Sequence, residues 1–206
     1  RVIDGQEGIY ERGNAGCDLF VSLPFCPTKC EYCSFITAPI AATRKYLADY
    51  LAALEKELAA CAPLIGNLRS VYIGGGTPFV LEAEELGRVL AAIAPLRQNG
   101  CEYTVEAGRP DVFIAEKLEV CKRYGVTRIC INAQSFSDAT LARIGRKHTA
   151  ADVVAAFDLA RPYGFDINCD LIAGLTGESF EEFCHSVDAA VALAPENITV
   201  HTLCLK

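Results

Sequence analysis

The sequence predicts an α/β fold: a partial, open (β/α)6 barrel of TIM-like type, built on one parallel sheet. Two observations carry this. From residue 19 onward, short apolar runs alternate with amphipathic segments, the signature of repeated βα units. The chemically unusual residues (a cysteine cluster, Gly74–Pro78, Glu106, Gln134 and Gly174) each fall at or just past the end of a strand candidate. Alternation alone fits a doubly wound sheet equally well. In a βα barrel, however, the strand ends share one rim and their loops converge, which favours the barrel.

The strand candidates, in order, are Leu19–Leu23, Val71–Ile73, Tyr103–Glu106, Arg128–Asn132, Ile167–Ala173 and Ile198–Leu203. Helical segments separate them. In the first, Leu47, Leu51, Leu54 and Leu58 repeat at helical spacing while Glu55, Lys56 and Glu57 fall elsewhere, giving one apolar stripe. The others span about Glu82–Ile93, Phe113–Tyr124, Ala151–Tyr163 and Ser179–Leu193, with Asp111 and Ser179 near plausible starts. Gly100, Gly125 and Gly164 precede strands where helix-ending glycines belong. Residues 1–18 read as an N-terminal extension and 19–206 as the barrel core. A closed eight-stranded barrel needs two more strands than these six, so the natural protein is expected to continue past Lys206.

With 51% hydrophobic residues in 206, the chain can bury a sizeable single core. Its net charge of −7 and lack of a Lys/Arg-rich run argue against nucleic acid as a partner. No apolar run is long enough to span a membrane, and no secretory leader is recognised. Eleven cysteines would suggest disulfides in a small secreted protein. Here Cys61, Cys101, Cys121 and Cys130 sit singly in apolar stretches and read as reduced thiols packed as small hydrophobes, which implies a reducing cytoplasm.

The strongest chemical signal is Phe25-Cys26-Pro27-Thr28-Lys29-Cys30-Glu31-Tyr32-Cys33, directly after the first strand. Three thiolates at C-x3-C-x2-C spacing can each hold one iron of a four-iron cube and leave the fourth iron open. Structural zinc wants four ligands, and no fourth is nearby. A redox Cys30-x-x-Cys33 pair would leave Cys26 unexplained. Among the other motifs, Asp170 lies in a mostly apolar strand, where an unpaired carboxylate is costly, so it needs a ligand or an ion partner. His201, in the last strand, reads equally as a core or a site histidine.

This cysteine loop resembles that of the radical S-adenosylmethionine (SAM) superfamily. The resemblance narrows to the oxygen-independent coproporphyrinogen III oxidase-like (coproporphyrinogen dehydrogenase) family. The matching pieces are Ser22-Leu-Pro-Phe-Cys26, Tyr72-Ile-Gly-Gly-Gly-Thr-Pro78, Thr104-Val-Glu-Ala-Gly108, Ile131-Asn-Ala-Gln-Ser-Phe136, Ile144-Gly-Arg-Lys-His148, Asp170-Leu-Ile-Ala-Gly174 and His201-Thr-Leu-Cys-Leu205. It implies a radical SAM barrel with a [4Fe–4S] cluster on Cys26, Cys30 and Cys33, and SAM chelating the open iron. Electron transfer through the cluster would cleave the sulfonium and give a 5′-deoxyadenosyl radical. Gly75, Gly76 and Thr77 are implied to meet the methionyl amine, Glu106 the ribose and Arg146 the SAM carboxylate, with Gln134 and Asp170 completing the SAM site.

The implied reaction is oxidative decarboxylation of coproporphyrinogen III to protoporphyrinogen IX. It would draw electrons from a donor such as flavodoxin or ferredoxin, and its substrate would be a small porphyrinogen or haem. Two departures keep alternatives open. Ser34-Phe35 stands where the oxidases carry a fourth cysteine, and Phe20 stands where they carry tyrosine. The alternatives are a haem-binding chaperone of the same family, or a radical SAM enzyme acting on another substrate such as haem.

Overall fold

The computed structural model describes residues 16–98 and 100–204; of the 1–18 extension only Gly16–Asp18 is described, and Cys17 and Asp18 already belong to the first strand. The elements run β1 (Cys17–Leu23), β2 (Phe25–Cys26), β3 (Ala38–Pro39), α1 (Ile40–Cys61), β4 (Leu68–Gly75) and α2 (Ala83–Ile93). They continue β5 (Glu102–Gly108), α3 (Ala115–Arg123), β6 (Arg128–Gln134), α4 (Asp138–Arg143), α5 (Ala150–Ala160), β7 (Asp166–Ala173), α6 (Phe180–Ala192) and β8 (Asn197–Thr202).

The main sheet has six strands in the order β1-β4-β5-β6-β7-β8, every neighbouring pair parallel. Strands laid down in strict chain order describe barrel winding; a doubly wound sheet reverses direction part-way. Among the described residues β1 and β8 are each paired on one side only, so the sheet is an open barrel segment.

Alternation along the strands sorts residues onto two faces. Val21, Ile73, Val105, Ile129 and Ile167 stand side by side in register, all 3% exposed or less. This face packs in one continuous core against Leu47, Leu51 and Leu58 of α1, Leu86, Leu90 and Ile93 of α2, Leu118 of α3 and Phe157 of α5. Each such side chain contributes about 1.5–3 kcal/mol of burial, far more than local propensity does, so the helices are held by this face. The opposite, concave face carries Tyr72, Glu106, Asn132, Asn168 and Asp170, and the chemistry lies there.

Three sequence expectations change. Asp111 does not start a helix: it lies in a 3-10 turn, Pro110–Val112, and forms an ion pair with Arg109, while α3 begins with Ile114 as its cap. The segment between β6 and β7 is two helices, because Ser137 accepts from the Thr140 amide and starts the short α4. β2 and β3, too short to show a period, form a separate two-stranded ladder. Ser179 does cap α6, in a reciprocal box with Glu182, and Gly164 adopts the left-handed conformation ahead of β7.

Candidate metal centre

The three cysteines belong to a loop tied at its base. The β2–β3 ladder pairs Phe25 with Ala38 and Cys26 with Pro39, and the Ala38 amide donates to Pro24 O at 2.8 Å. The Gly76 and Thr77 amides donate to Leu23 O (2.8 Å) and Phe25 O (2.7 Å), stitching the end of β4 to the loop entry. Only glycine fits at 76, since a Cβ there would stand 2.4 Å from Phe25 O. Gly75, at φ +103°, turns the chain in a conformation that side chains resist.

Cys26, Cys30 and Cys33 line one cleft with Thr28, Tyr32, Gly75, Gly76, Thr77, Glu106, Arg109, Asn132, Gln134 and Arg146. It encloses about 500 Å3, including its open mouth. Burial pushes the Cys26 thiol up, and the Thr77 hydroxyl, donating to its Sγ at 3.6 Å, partly offsets this. Among the described residues no three His, Cys, Asp or Glu side chains close on a single ion. A four-iron cube asks for something different, because each thiolate meets its own iron and the three sulfurs need not converge on one point.

The wall opposite the cysteines is polar and under-satisfied. Arg146, 8% exposed, donates to the Tyr32 hydroxyl at 2.6 Å and to Asn132 O at 3.3 Å, while its Nε is buried without a partner. Asn132 Oδ1 and Gln134 Oε1 are likewise buried and unpartnered. Gln134 also holds φ +68°, a strained value for a residue with a side chain, and the ladders β5–β6 and β6–β7 both shift register at this end. Glu106 accepts from Asn132 Nδ2 at 2.9 Å, and burial raises its carboxyl above the usual range. Orphaned buried polar atoms beside a strained backbone are what a missing ligand would explain.

Nine of the ten sequence-predicted site residues meet in this cleft: Cys26, Cys30, Cys33, Gly75, Gly76, Thr77, Glu106, Gln134 and Arg146. Asp170 is on the same concave face but outside the cleft lining. It accepts from Asn168 Nδ2, and burial raises its carboxyl while His201 opposes the rise. His201 is exposed on β8, in register with Ile172. Sequence reasoning passed over Tyr32, Asn132, Thr28 and Arg109. Two of them had a signal: Asn132 lies two residues before Gln134 in the same strand, and Arg109 directly follows the end of β5, where the rim residues fall.

A converging rim of thiols and buried polar groups at the strand ends of a parallel barrel segment defines a cofactor-dependent α/β-barrel protein. The model of the radical SAM superfamily matches residues 20–190, and the chain belongs to that superfamily, within its oxygen-independent coproporphyrinogen III oxidase-like branch.

The chain is 39% identical to the oxygen-independent coproporphyrinogen-III oxidase-like protein HemZ of Bacillus subtilis, over 91% of this chain and 39% of that protein. It is 36% identical to the heme chaperone HemW of the same organism, over 89% of this chain and 49% of that one. The coproporphyrinogen III oxidase HemN of Escherichia coli, a radical SAM enzyme, superposes with a TM-score of 0.82 at 26% identity, over 91% of this chain and 44% of that one. The chain therefore spans half or less of the length of these relatives.

The superfamily's cofactors are a [4Fe–4S] cluster and SAM. The residues present fit them. Three thiols sit on one loop, and the facing wall offers an unpartnered guanidinium N–H and two unpartnered amide oxygens. No helix of the described residues is long and apolar enough to cross a membrane.

Proposed function

We propose that this chain is the cluster- and SAM-binding core of a radical SAM oxidoreductase that, without oxygen, oxidatively decarboxylates propionate side chains of coproporphyrinogen III to vinyl groups, with loss of CO2 and SAM as the oxidant, giving protoporphyrinogen IX. The observation that carries the reading is the single cleft joining Cys26, Cys30 and Cys33 to the unpartnered Arg146 Nε, Asn132 Oδ1 and Gln134 Oε1. Each thiolate would hold one iron. Cluster and SAM, when bound, supply one-electron reductive chemistry.

The protein's own residues bind and orient. The Arg146 guanidinium would hold a carboxylate, Glu106 and Asp170 would accept from ligand hydroxyls, and the Gly75-Gly76-Thr77 backbone would let an amine approach closely. Gln134 would accept from the ligand's remaining donors. The electron donor would be a flavodoxin or ferredoxin, the substrate a small tetrapyrrole and not a nucleic acid, and the compartment the cytoplasm.

A second reading, haem chaperone, is favoured by one specific feature: Ser34-Phe35 follows Cys33 in place of a further thiol, and Phe35 is 65% exposed at the cleft mouth. The experiment is anaerobic reconstitution of the full-length protein. About four irons and four sulfides are expected per chain, lost on Cys26→Ala, Cys30→Ala or Cys33→Ala and kept in Cys101→Ala. Arg146→Ala should weaken SAM binding about tenfold or more at normal iron content, as Asp170→Ala should. Consumption of SAM in step with coproporphyrinogen III supports the oxidoreductase; a stable haem complex without product supports the chaperone.

A further inference from the structure

The sequence Gly108-Arg109-Pro110-Asp111 ends β5 in an uncommon way. Gly108, at φ +82°, reverses the chain so closely over Thr77 that a Cβ would stand 3.0 Å from its Cγ2. Pro110 then opens a 3-10 turn that carries Asp111. Between them, Arg109 is folded back into the cleft and is 2% exposed.

Its guanidinium is fully directed. Nε and Nη2 donate to the two carboxylate oxygens of Asp111, both at 3.0 Å, a planar two-point fork that fixes the side chain. Nη1 is thereby aimed away from Asp111 and donates to Thr28 Oγ1 at 2.7 Å. Thr28 lies between the first two cysteines. Among the described residues this is the only hydrogen bond that ties Pro27–Lys29 to the rest of the fold. The β2–β3 ladder holds the loop at its base, and Arg109 holds its first arm.

A solvated surface pair would serve neither purpose. Asp111 already satisfies the arginine locally, so a merely structural fork could point anywhere; this one faces the cleft wall that the cysteines share. In a low-dielectric cleft the charge of a buried guanidinium is poorly screened. Arg109 lines the cleft and its partner Asp111 does not, so negative charge added to a neighbouring cluster meets the guanidinium end of the pair, which stabilises it.

We propose that Arg109 is a positioning residue for the iron–sulfur centre: it clamps the Cys26–Cys30 arm through Thr28, and its fixed charge makes the cluster easier to reduce. The inference rests on the reading that Cys26, Cys30 and Cys33 hold a cluster.

The test uses reconstituted full-length protein and redox titration with dithionite and mediators, followed by electron paramagnetic resonance. Arg109→Met removes the cation and strands Asp111. At a fixed poise its reduced-to-oxidised ratio should fall about tenfold, a shift of about 59 mV for one electron. Arg109→Lys, which keeps the charge but not the fork, should restore the potential and still lose iron faster than wild type on desalting. Thr28→Val, isosteric and leaving the Arg109–Asp111 pair intact, should lose iron in the same way at unchanged potential, and it keeps the test decisive if Arg109→Met does not fold. Arg128→Met, at a half-buried pair with Glu102 at the opposite end of the strands, should change neither reading. A wild-type protein without a cluster overturns the functional reading and this inference with it. A normal cluster whose potential and retention are the same in all the Arg109 and Thr28 variants overturns this inference alone.

Discussion

His148 shows how far a single side chain is set by its neighbours. It is 2% exposed, with Nε2 placed 3.2 Å from Ala133 O and Nδ1 buried without a partner. Burial first, and then the adjacent Arg146 charge, lower its pKa to about 4. The folded state therefore resists a proton that the unfolded chain accepts at about 6.5, so this residue's stabilising contribution is complete above that pH and is lost as pH falls toward 4. The loss is on the order of 3 kcal/mol. Glu106 and Asp170, whose carboxyls burial raises, act with the opposite sign in the acid range, so the difference between proteins is the cleaner observable. Denaturant titrations from pH 7 to pH 4.5 should show wild type losing more stability than His148→Asn; parallel curves would show that the imidazole titrates freely.

The same burial explains the isolated thiols. Cys121, Cys130 and Cys169 are pushed up to about 12, so they stay protonated and packed, as the apolar sequence contexts of Cys121 and Cys130 suggested.

The end of β4 is the element on which the cleft depends. Its two amides at Gly76 and Thr77 connect β1, β2 and the cysteine loop, and the approach is too close for any side chain at residue 76. Gly76→Ala should cost on the order of 3 kcal/mol and lower cluster content, because backbone oxygens cannot step aside as a side-chain end can. Gly66 has open space around a would-be Cβ, so Gly66→Ala should stay within about 0.5 kcal/mol of wild type and keep its cluster. Thermal melts and iron assays on the pair check this, and equal effects would sink the account. The strand and its glycine run were legible because an apolar run ending in Gly-Gly-Gly-Thr-Pro has few readings. Its true start at Leu68 was not, since Arg69 and Ser70 interrupt the apolar pattern, although Leu68 and Ser70 pair with Cys17 and Asp18 of β1 on either side of a register shift at Arg69. The α3 start was misplaced for a related reason: Asp111 looks like a helix cap in sequence, yet the buried Arg109 claims its carboxylate.

Across the whole molecule, protection should follow the layering. The middle strands β5 and β6 are paired on both sides and covered by helices, whereas among the described residues β8 is paired on one side and mostly exposed. Hydrogen exchange is expected to be slowest in β5 and β6, and reconstitution with SAM should slow the β4–β7 ends without altering the helix-covered face. Uniform exchange, or ligand protection confined to β8, would contradict the placement of the cleft.

The sequence by itself determined the α/β class, the six strands, the thiol triad and the rim on which it sits. Periodicity reports which face of each element is apolar, and C-x3-C-x2-C spacing reports its chemistry locally. Only the tertiary structure decided that the strands follow in chain order, that Asp170 stands outside the cleft lining, and that Arg109 reaches Thr28, 81 residues away. Those outcomes depend on which loops the curvature of the sheet brings together, and on buried polar atoms finding partners far along the chain, neither of which any local pattern encodes.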